Sequence, residues 1–291
     1  MADRHKLLLQ SPHLQQETSA IRFSELSSQS YALSIVALEG QYAVSASSPA
    51  NTIDIFDKTT LQGIEILSGH EIATTSIKVA KKLCGSSKPT LVSSGKDGSI
   101  KAWDDRTNTH SIKSALAFLL TPQKSSDNSL ISLLTVTNLG KPQSFLCCDV
   151  SPDGSLVAAG TDLRGEDASI LYWDPRQPAA PLRSHNATHS DDITTIAFSS
   201  TKDRAGGFNV LLSGSSDGLV CTSNADEDDE DEATIQVGNW GCSISQVGWI
   251  HPRATPGPAE TEAKIWAASD METLSTWTSD VRNLFFQPAT A

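Results

Sequence analysis

A short unit recurs along this chain: a β-prone run, a tight turn at an aspartate, a second alternating run, and a tryptophan six positions after the aspartate. It is clearest in LVSSGKDGSIKAWDDRT, Leu91 to Thr107, where Asp97-Gly98 precedes Trp103. Asp-Gly between two alternating runs is a hairpin signature, because glycine takes the positive φ that such a turn needs. A second copy is LVAAGTDLRGEDASILYWD, Leu156 to Asp174, with Asp167 six before Trp173. A third, VLLSGSSDGLVCTSN (Val210 to Asn224), keeps Asp217-Gly218 but has Ser223 in the tryptophan's place. AVSASSPANTIDIFD (Ala43 to Asp57) substitutes Phe56, and IWAASDMETLSTW (Ile265 to Trp277) keeps the final tryptophan alone.

The anchors Phe56, Trp103, Trp173, Ser223 and Trp277 stand 47, 70, 50 and 54 residues apart. A blade repeat of about 40–45 residues with loop insertions fits three of these intervals. The longest needs an insertion, and the Ser/Asn-rich stretch near 121–142 supplies it; a second insertion falls at 226–232. Further short runs precede several copies, as in Asp192 to Phe198 and Phe145 to Val150. Four short strands per repeated unit is the plan of a β-propeller. The expectation is an all-β fold with five blades at roughly 31–70, 71–120, 143–185, 191–237 and 241–285. Residues 1–30 then form an N-terminal segment able to hold a ring-closing strand.

Gly69-His70 ahead of the clearest copy, Asp97-Gly98, Trp103-Asp104, Ser151-Pro152-Asp153-Gly154 and Trp173-Asp174 together resemble the WD-repeat family. The stretch from Asp191 to Ile250, with DDIT, LLSGSSDGLV, an acidic insert and SISQVGW, resembles one subgroup of it. The resemblance implies a buried network of His70, Ser93, Asp97 and Trp103, with Asp167, Trp173 and Asp217 as members of less complete sets. It also implies seven blades where five are recognisable. An incomplete ring is the preferred reading; a closed five-bladed ring and unrecognised degenerate blades are the alternatives.

Composition narrows the partners. Lys and Arg number 22 against 34 Asp and Glu, a formal charge of −12. Seven of the acids form one run, DEDDEDE, from Asp226 to Glu232, and without it about −5 remains. With no basic cluster, a phosphate backbone is a poor partner. Five cysteines do not make a disulfide framework in a chain this long. Leu7-Leu8-Leu9 is far below the length of a leader's apolar run or a membrane span. The expectation is a soluble protein of the cytosol or nucleus, with no membrane contact.

Two features point to protein partners. Trp103-Asp104-Asp105-Arg106 and Trp173-Asp174-Pro175-Arg176 both spell W-D-x-R. In the resembled family that pattern occurs in substrate receptors of cullin-4 ubiquitin ligases, which implies that Arg106 and Arg176 contact the ligase adaptor; local turn satisfaction is the competing account. The carboxylates Asp226, Glu227, Asp228, Asp229, Glu230, Asp231 and Glu232 cannot enter a core unpaired. They read as a solvated loop that either steers a basic partner, such as a histone or ribosomal protein, or only keeps the protein soluble.

Other chemistry has little support. His185 and His189 form H-x3-H, but Cys147 and Cys148 are adjacent on a strand and point to opposite faces, so no metal site is expected. No nucleophile elbow, phosphate loop or H-E-x-x-H occurs. The chain reads as a non-enzymatic interaction scaffold without a cofactor, its ligand surface on the rim built from the loops that enter each blade.

Overall fold

A computed structural model describes residues 24–26, 30–84, 89–103, 130–135, 143–165, 168–178, 180–200, 202, 207–250 and 264–278. They form five antiparallel sheets in chain order. The first is β1 (Ala32–Ala37), β2 (Gln41–Ala46), β3 (Ile53–Asp57) and β4 (Gly63–Leu67). The second is β5 (Thr74–Ala80), β6 (Thr90–Gly95), β7 (Ser99–Trp103) and β8 (Leu130–Thr135). The third is β9 (Phe145–Val150), β10 (Val157–Thr161), β11 (Ile170–Trp173) and β12 (Arg183–His185). The fourth is β13 (Thr195–Phe198), β14 (Val210–Gly214), β15 (Leu219–Asn224) and β16 (Thr234–Asn239), with a one-turn helix α1 (Glu230–Ala233) before its last strand. Three described strands make the fifth: β17 (Ile244–Ile250), β18 (Lys264–Ser269) and β19 (Leu274–Thr278).

Every described sheet is a meander, each strand hydrogen-bonded to its neighbour in sequence. The hairpin turns fall where the sequence places them, and Gly98 between β6 and β7 has φ 72°, a conformation that any Cβ would disfavour. One boundary differs from expectation. The fourth strand of the second sheet, β8, lies at Leu130–Thr135, within the stretch read as an insertion, and pairs with β7 from Ser99 to Trp103. Of the N-terminal segment 1–30, only 24–26 and 30 are described, so the ring-closing strand lies outside the described residues.

The core is a series of joints between successive sheets. Ile53, Ile55 and Leu67 of the first meet Ile77, Leu91 and Trp103 of the second. Val92, Ile100 and Ala102 then meet Phe145, Cys148 and Trp173 of the third. Ile170 and Tyr172 meet Ile196 and Leu211 of the fourth, whose Leu212 and Val220 meet Val247 and Ile265 of the fifth. Each sheet is thus apolar on both faces, which is why β6 is buried at all six positions instead of alternating. Each fully buried Ile or Leu contributes about 1.5–3 kcal/mol relative to exposure.

Polar staples cross the same joints. Thr75 Oγ1 donates to the Phe145 carbonyl at 2.8 Å and Cys147 Sγ to the Ile193 carbonyl at 3.2 Å. Asn51 Nδ2 donates to the Ile72 carbonyl, Thr194 Oγ1 to that of Ile244, and Trp249 Nε1 to that of Ala197 at 2.9 Å. The first strands pack in order, β1 on β5, then β9, β13 and β17. No comparable packing among the described residues joins β17 back to β1. No helix among the described residues is long and apolar enough to cross a membrane.

Candidate functional site

The second sheet brings His70, Ser93, Asp97 and Trp103 together. His70 Nδ1 lies 2.9 Å from Asp97 Oδ1, and Nε2 lies 2.8 Å from Ser93 Oγ. Trp103 Nε1 donates to the same hydroxyl at 3.0 Å. Burial works against the Asp97 charge, but hydrogen bonds from His70 and Ser99 outweigh it and hold the carboxyl well below the usual range. An ionised carboxylate only accepts, so Nδ1 carries a proton. Gly69 sets the approach: with φ 64°, a Cβ there would run into the Asn51 carbonyl.

Ser, His and Asp in this order are also the groups of a hydrolytic triad. This arrangement cannot act as one, because Ser93 is fully buried and its hydroxyl receives an indole N–H from within the core. No substrate carbonyl reaches that oxygen. The chemistry available is structural: the network ties the loop into the sheet to its second and third strands.

The fourth sheet holds a second such network that sequence reading missed. His189 Nε2 lies 2.8 Å from Ser213 Oγ, and Nδ1 lies 3.2 Å from Asp217 Oδ2. The Ser190 amide donates to the same carboxylate at 2.9 Å. Burial again opposes ionisation, and the His189 contact overcomes it, leaving the Asp217 carboxyl below its ordinary value. His189 and Ser213 are buried, and His185 closes β12, so the two histidines of H-x3-H serve different sheets. The signal was in the spacing. His189 precedes Ser213 by 24 residues and Asp217 by 28, against 23 and 27 from His70.

Among the described residues the third sheet shows no such network. Register places Ala159 where Ser93 stands, since Val157 pairs with Trp173 as Leu91 pairs with Trp103. Trp173 is wholly buried, and its Nε1 has no hydrogen-bond partner among the described residues. Its ring packs edge-on against Phe145 at 5.6 Å between centroids. Asp167 lies outside the described residues.

The acidic run is not a free loop of unpaired carboxylates. Asp226 accepts from the Asn209 amide at 2.8 Å and its side chain at 3.0 Å. Asp228 pairs with Arg183 Nε at 2.6 Å. Asp229 caps α1, accepting from the amides of Asp231 and Glu232, and Glu227 accepts from the Asp228 amide at 3.0 Å. Glu230 takes the amides of Asn186 and Ala187 at 2.7 and 2.8 Å and the Thr188 hydroxyl at 2.5 Å. Burial disfavours the Glu230 charge, but these donors outweigh it and lower its pKa. His185 points its Nε2 at the Glu227 carbonyl, 3.2 Å away, and its own pKa is lowered chiefly by burial. The segment therefore clasps the fourth sheet to the last strand of the third. The carboxylates of Asp231 and Glu232 remain exposed with no partner among the described residues.

The acidic segment follows the end of β15, as Arg176 follows the end of β11, the corresponding strand of the third sheet. Arg176 is exposed, and its amide donates to Asp174 Oδ1 at 2.8 Å, the local turn bond of that W-D-x-R. Arg106 lies outside the described residues. All five cysteines are free; burial pushes the Cys148 and Cys221 thiols up to about 12. No metal-holding group of His, Cys, Asp and Glu occurs among the described residues.

Known proteins agree with this architecture. The WD domain, G-beta repeat family matches residues 62–104, 134–174 and 180–221. A WD repeat-containing protein of Saccharomyces cerevisiae is 30% identical over 225 residues, 77% of this chain and 46% of that protein. The WD repeat-containing protein 89 homolog of Dictyostelium discoideum is 23% identical over 225 residues, 77% of this chain and 48% of its own. The chain thus spans about half the length of these relatives. Among solved structures, Chaetomium thermophilum Sqt1 bound to the N-terminus of ribosomal protein L10 superposes with a TM-score of 0.59 at 17% identity, covering 83% of this chain and 56% of that one. Repeats, sheet order and buried histidine networks converge on one family: the chain belongs to the WD-repeat proteins.

Proposed function

We propose that the chain is a non-enzymatic scaffold that receives a basic segment of a protein partner on the edge carrying the acidic clasp. WD-repeat proteins generally act as protein-interaction scaffolds. The observation that carries the finer reading is the geometry of the clasp. Its inward bonds hold α1 in place, and Asp228, Asp229, Asp231 and Glu232 stay exposed. Negative charge fixed on a rigid support attracts a cationic segment without first having to be ordered. Sqt1 holding a ribosomal-protein N-terminus is a property of that protein, and it suggests only the kind of probe to use.

The test is binding of a Lys/Arg-rich peptide to the intact chain, measured by calorimetry at rising salt. Asp231→Asn with Glu232→Gln removes two charges that hold nothing in place. The reading expects weaker binding in the variant and a steep loss between low salt and about 0.5 M, where screening is nearly complete over a few ångströms. Affinity indifferent to both changes sinks it.

Arg176 supports a second reading, as a ligase substrate receptor. Its guanidinium is exposed and makes no ion pair among the described residues, which leaves it able to meet a carboxylate bidentately. Arg106→Ala with Arg176→Ala is then expected to abolish capture of the cullin-4 adaptor while melting stays unchanged. Failure of the unaltered chain to bind the adaptor ends this reading.

A further inference from the structure

The outermost strand of a sheet leaves a row of backbone groups unpaired, and proteins guard that row with short strands, charged side chains or a covering segment. Two outermost strands here are guarded in these ways. β4 carries Glu65, and β12 is three residues long, with Arg183 and His185 held by Asp228 and the Glu227 carbonyl of the acidic segment. β16, outermost of the described strands in the fourth sheet, is different. Its six residues, Thr-Ile-Gln-Val-Gly-Asn, include no charge and no proline. Thr234, Val237 and Asn239 are exposed, Val237 to 44%.

Hydrogen bonding fixes which groups of β16 face outward. Its pairing with β15 shifts register between Thr234 and Gln236 and is regular from there to Asn239. Just past that ladder the Trp240 amide donates to the Gly218 carbonyl at 2.9 Å. Leu219, opposite Asn239, turns the other way: its amide donates to Asp217 Oδ1 and its carbonyl accepts from the Ser215 amide. Bonded and non-bonded pairs alternate in an antiparallel ladder, so Gln236 and Gly238 bond to β15. The amides and carbonyls of Val237 and Asn239 then point away from it, to a side on which no described strand lies.

We infer that β16 is a docking edge, and that its occupant is an extended Lys- or Arg-bearing segment of a protein partner, which adds to the fourth sheet as a further strand. This rests on the reading of the acidic segment as the receptor of a basic partner, and it gives that partner a conformation. Val237 and Asn239 present two donors and two acceptors in line, and strand addition draws its affinity from such main-chain bonds. Charge complementarity selects the occupant. Asp231 and Glu232 are exposed just before the strand begins at Thr234, and β16 holds no cation to repel an incoming lysine. An apolar side chain set opposite Val237 removes its exposed surface from water.

The test uses the intact chain and a short capped peptide of alternating Lys and Val, with calorimetry for binding and amide hydrogen exchange for its place. At about ten times the dissociation constant, exchange at Val237 and Asn239 is expected to slow about tenfold, while Gln236 and Gly238, already in the ladder, change little. Two peptides N-methylated at every second residue, in the two possible phases, separate the sides of the added strand. Methyl groups on the amides that face β16 are expected to weaken binding about tenfold or more, and those on the other set to leave it unchanged. Binding without slower exchange at Val237 and Asn239, or equal binding of the two methylated peptides, overturns the inference and leaves the acidic-segment reading standing. Absence of binding overturns both. Protection of the two amides that rises with protein concentration in the peptide-free chain also overturns it, by assigning the edge to a second copy.

Discussion

His189 stands 3.2 Å from Asp217 in the fourth sheet, as His70 stands 2.9 Å from Asp97 in the second. The pairs are equivalent even though only the second sheet has a tryptophan behind its serine, with Ser223 opposite Leu211 in the fourth. His189→Ala is expected to cost about 2–4 kcal/mol, as is His70→Ala, because each leaves a largely buried carboxylate and serine without their shared partner. Urea unfolding of both variants checks this. A His189→Ala variant within about 0.5 kcal/mol of the unaltered chain shows that the second network does not stabilise the fourth sheet.

The third sheet offers a gain instead of a loss. Trp173 Nε1 is buried without an acceptor among the described residues, and Ala159 occupies the place from which Ser93 serves Trp103. Ala159→Ser is expected to stabilise the chain by about 1 kcal/mol by satisfying that donor. Thermal melting reads it directly. A lower melting temperature shows that the site has no room for the hydroxyl and that overpacking dominates.

The sheets were legible because each hairpin carries its own turn residues, and turns act over a few positions. The complete network was legible only through the family resemblance, which Gly69-His70 and Asp97-Gly98 carry as short adjacent pairs. His189 was hidden because Thr188 precedes it instead of glycine, and because His185 four residues earlier suggested a metal spacing. β8 was hidden by its surroundings, a Ser/Asn-rich stretch that reads as an insertion. The acidic clasp could not be read locally at all. The donors that hold Glu230 are amides of Asn186 and Ala187, more than forty residues away in the loop after β12, and backbone amides leave no mark in composition.

Clasp and charge separate experimentally. Glu230→Ala removes the acceptor for two amides and the Thr188 hydroxyl, whereas Glu232→Ala removes a carboxylate with no described partner. The first is expected to cost about 1–2 kcal/mol, as the loss of charge-assisted bonds at a partly exposed site, and the second almost nothing. Hydrogen exchange at Asn186 and Ala187 gives the local readout, with faster exchange expected only in Glu230→Ala. Equal exchange in both variants shows that the segment does not hold the third sheet.

Acid should undo the histidine networks in a defined window. Asp97 and Asp217 have folded-state pKa values below the ordinary 3.8 of a free aspartate. A carboxylate of this kind binds protons less readily folded than unfolded, so its stabilising contribution is complete above 3.8 and is lost as pH falls below it. Asp217→Asn removes one contribution outright. The melting temperatures of this variant and the unaltered chain are therefore expected to differ at neutral pH and to converge as the pH drops below about 4. A gap that stays constant down to acid unfolding shows that the ionised carboxylate of Asp217 gives His189 nothing that its protonated form does not.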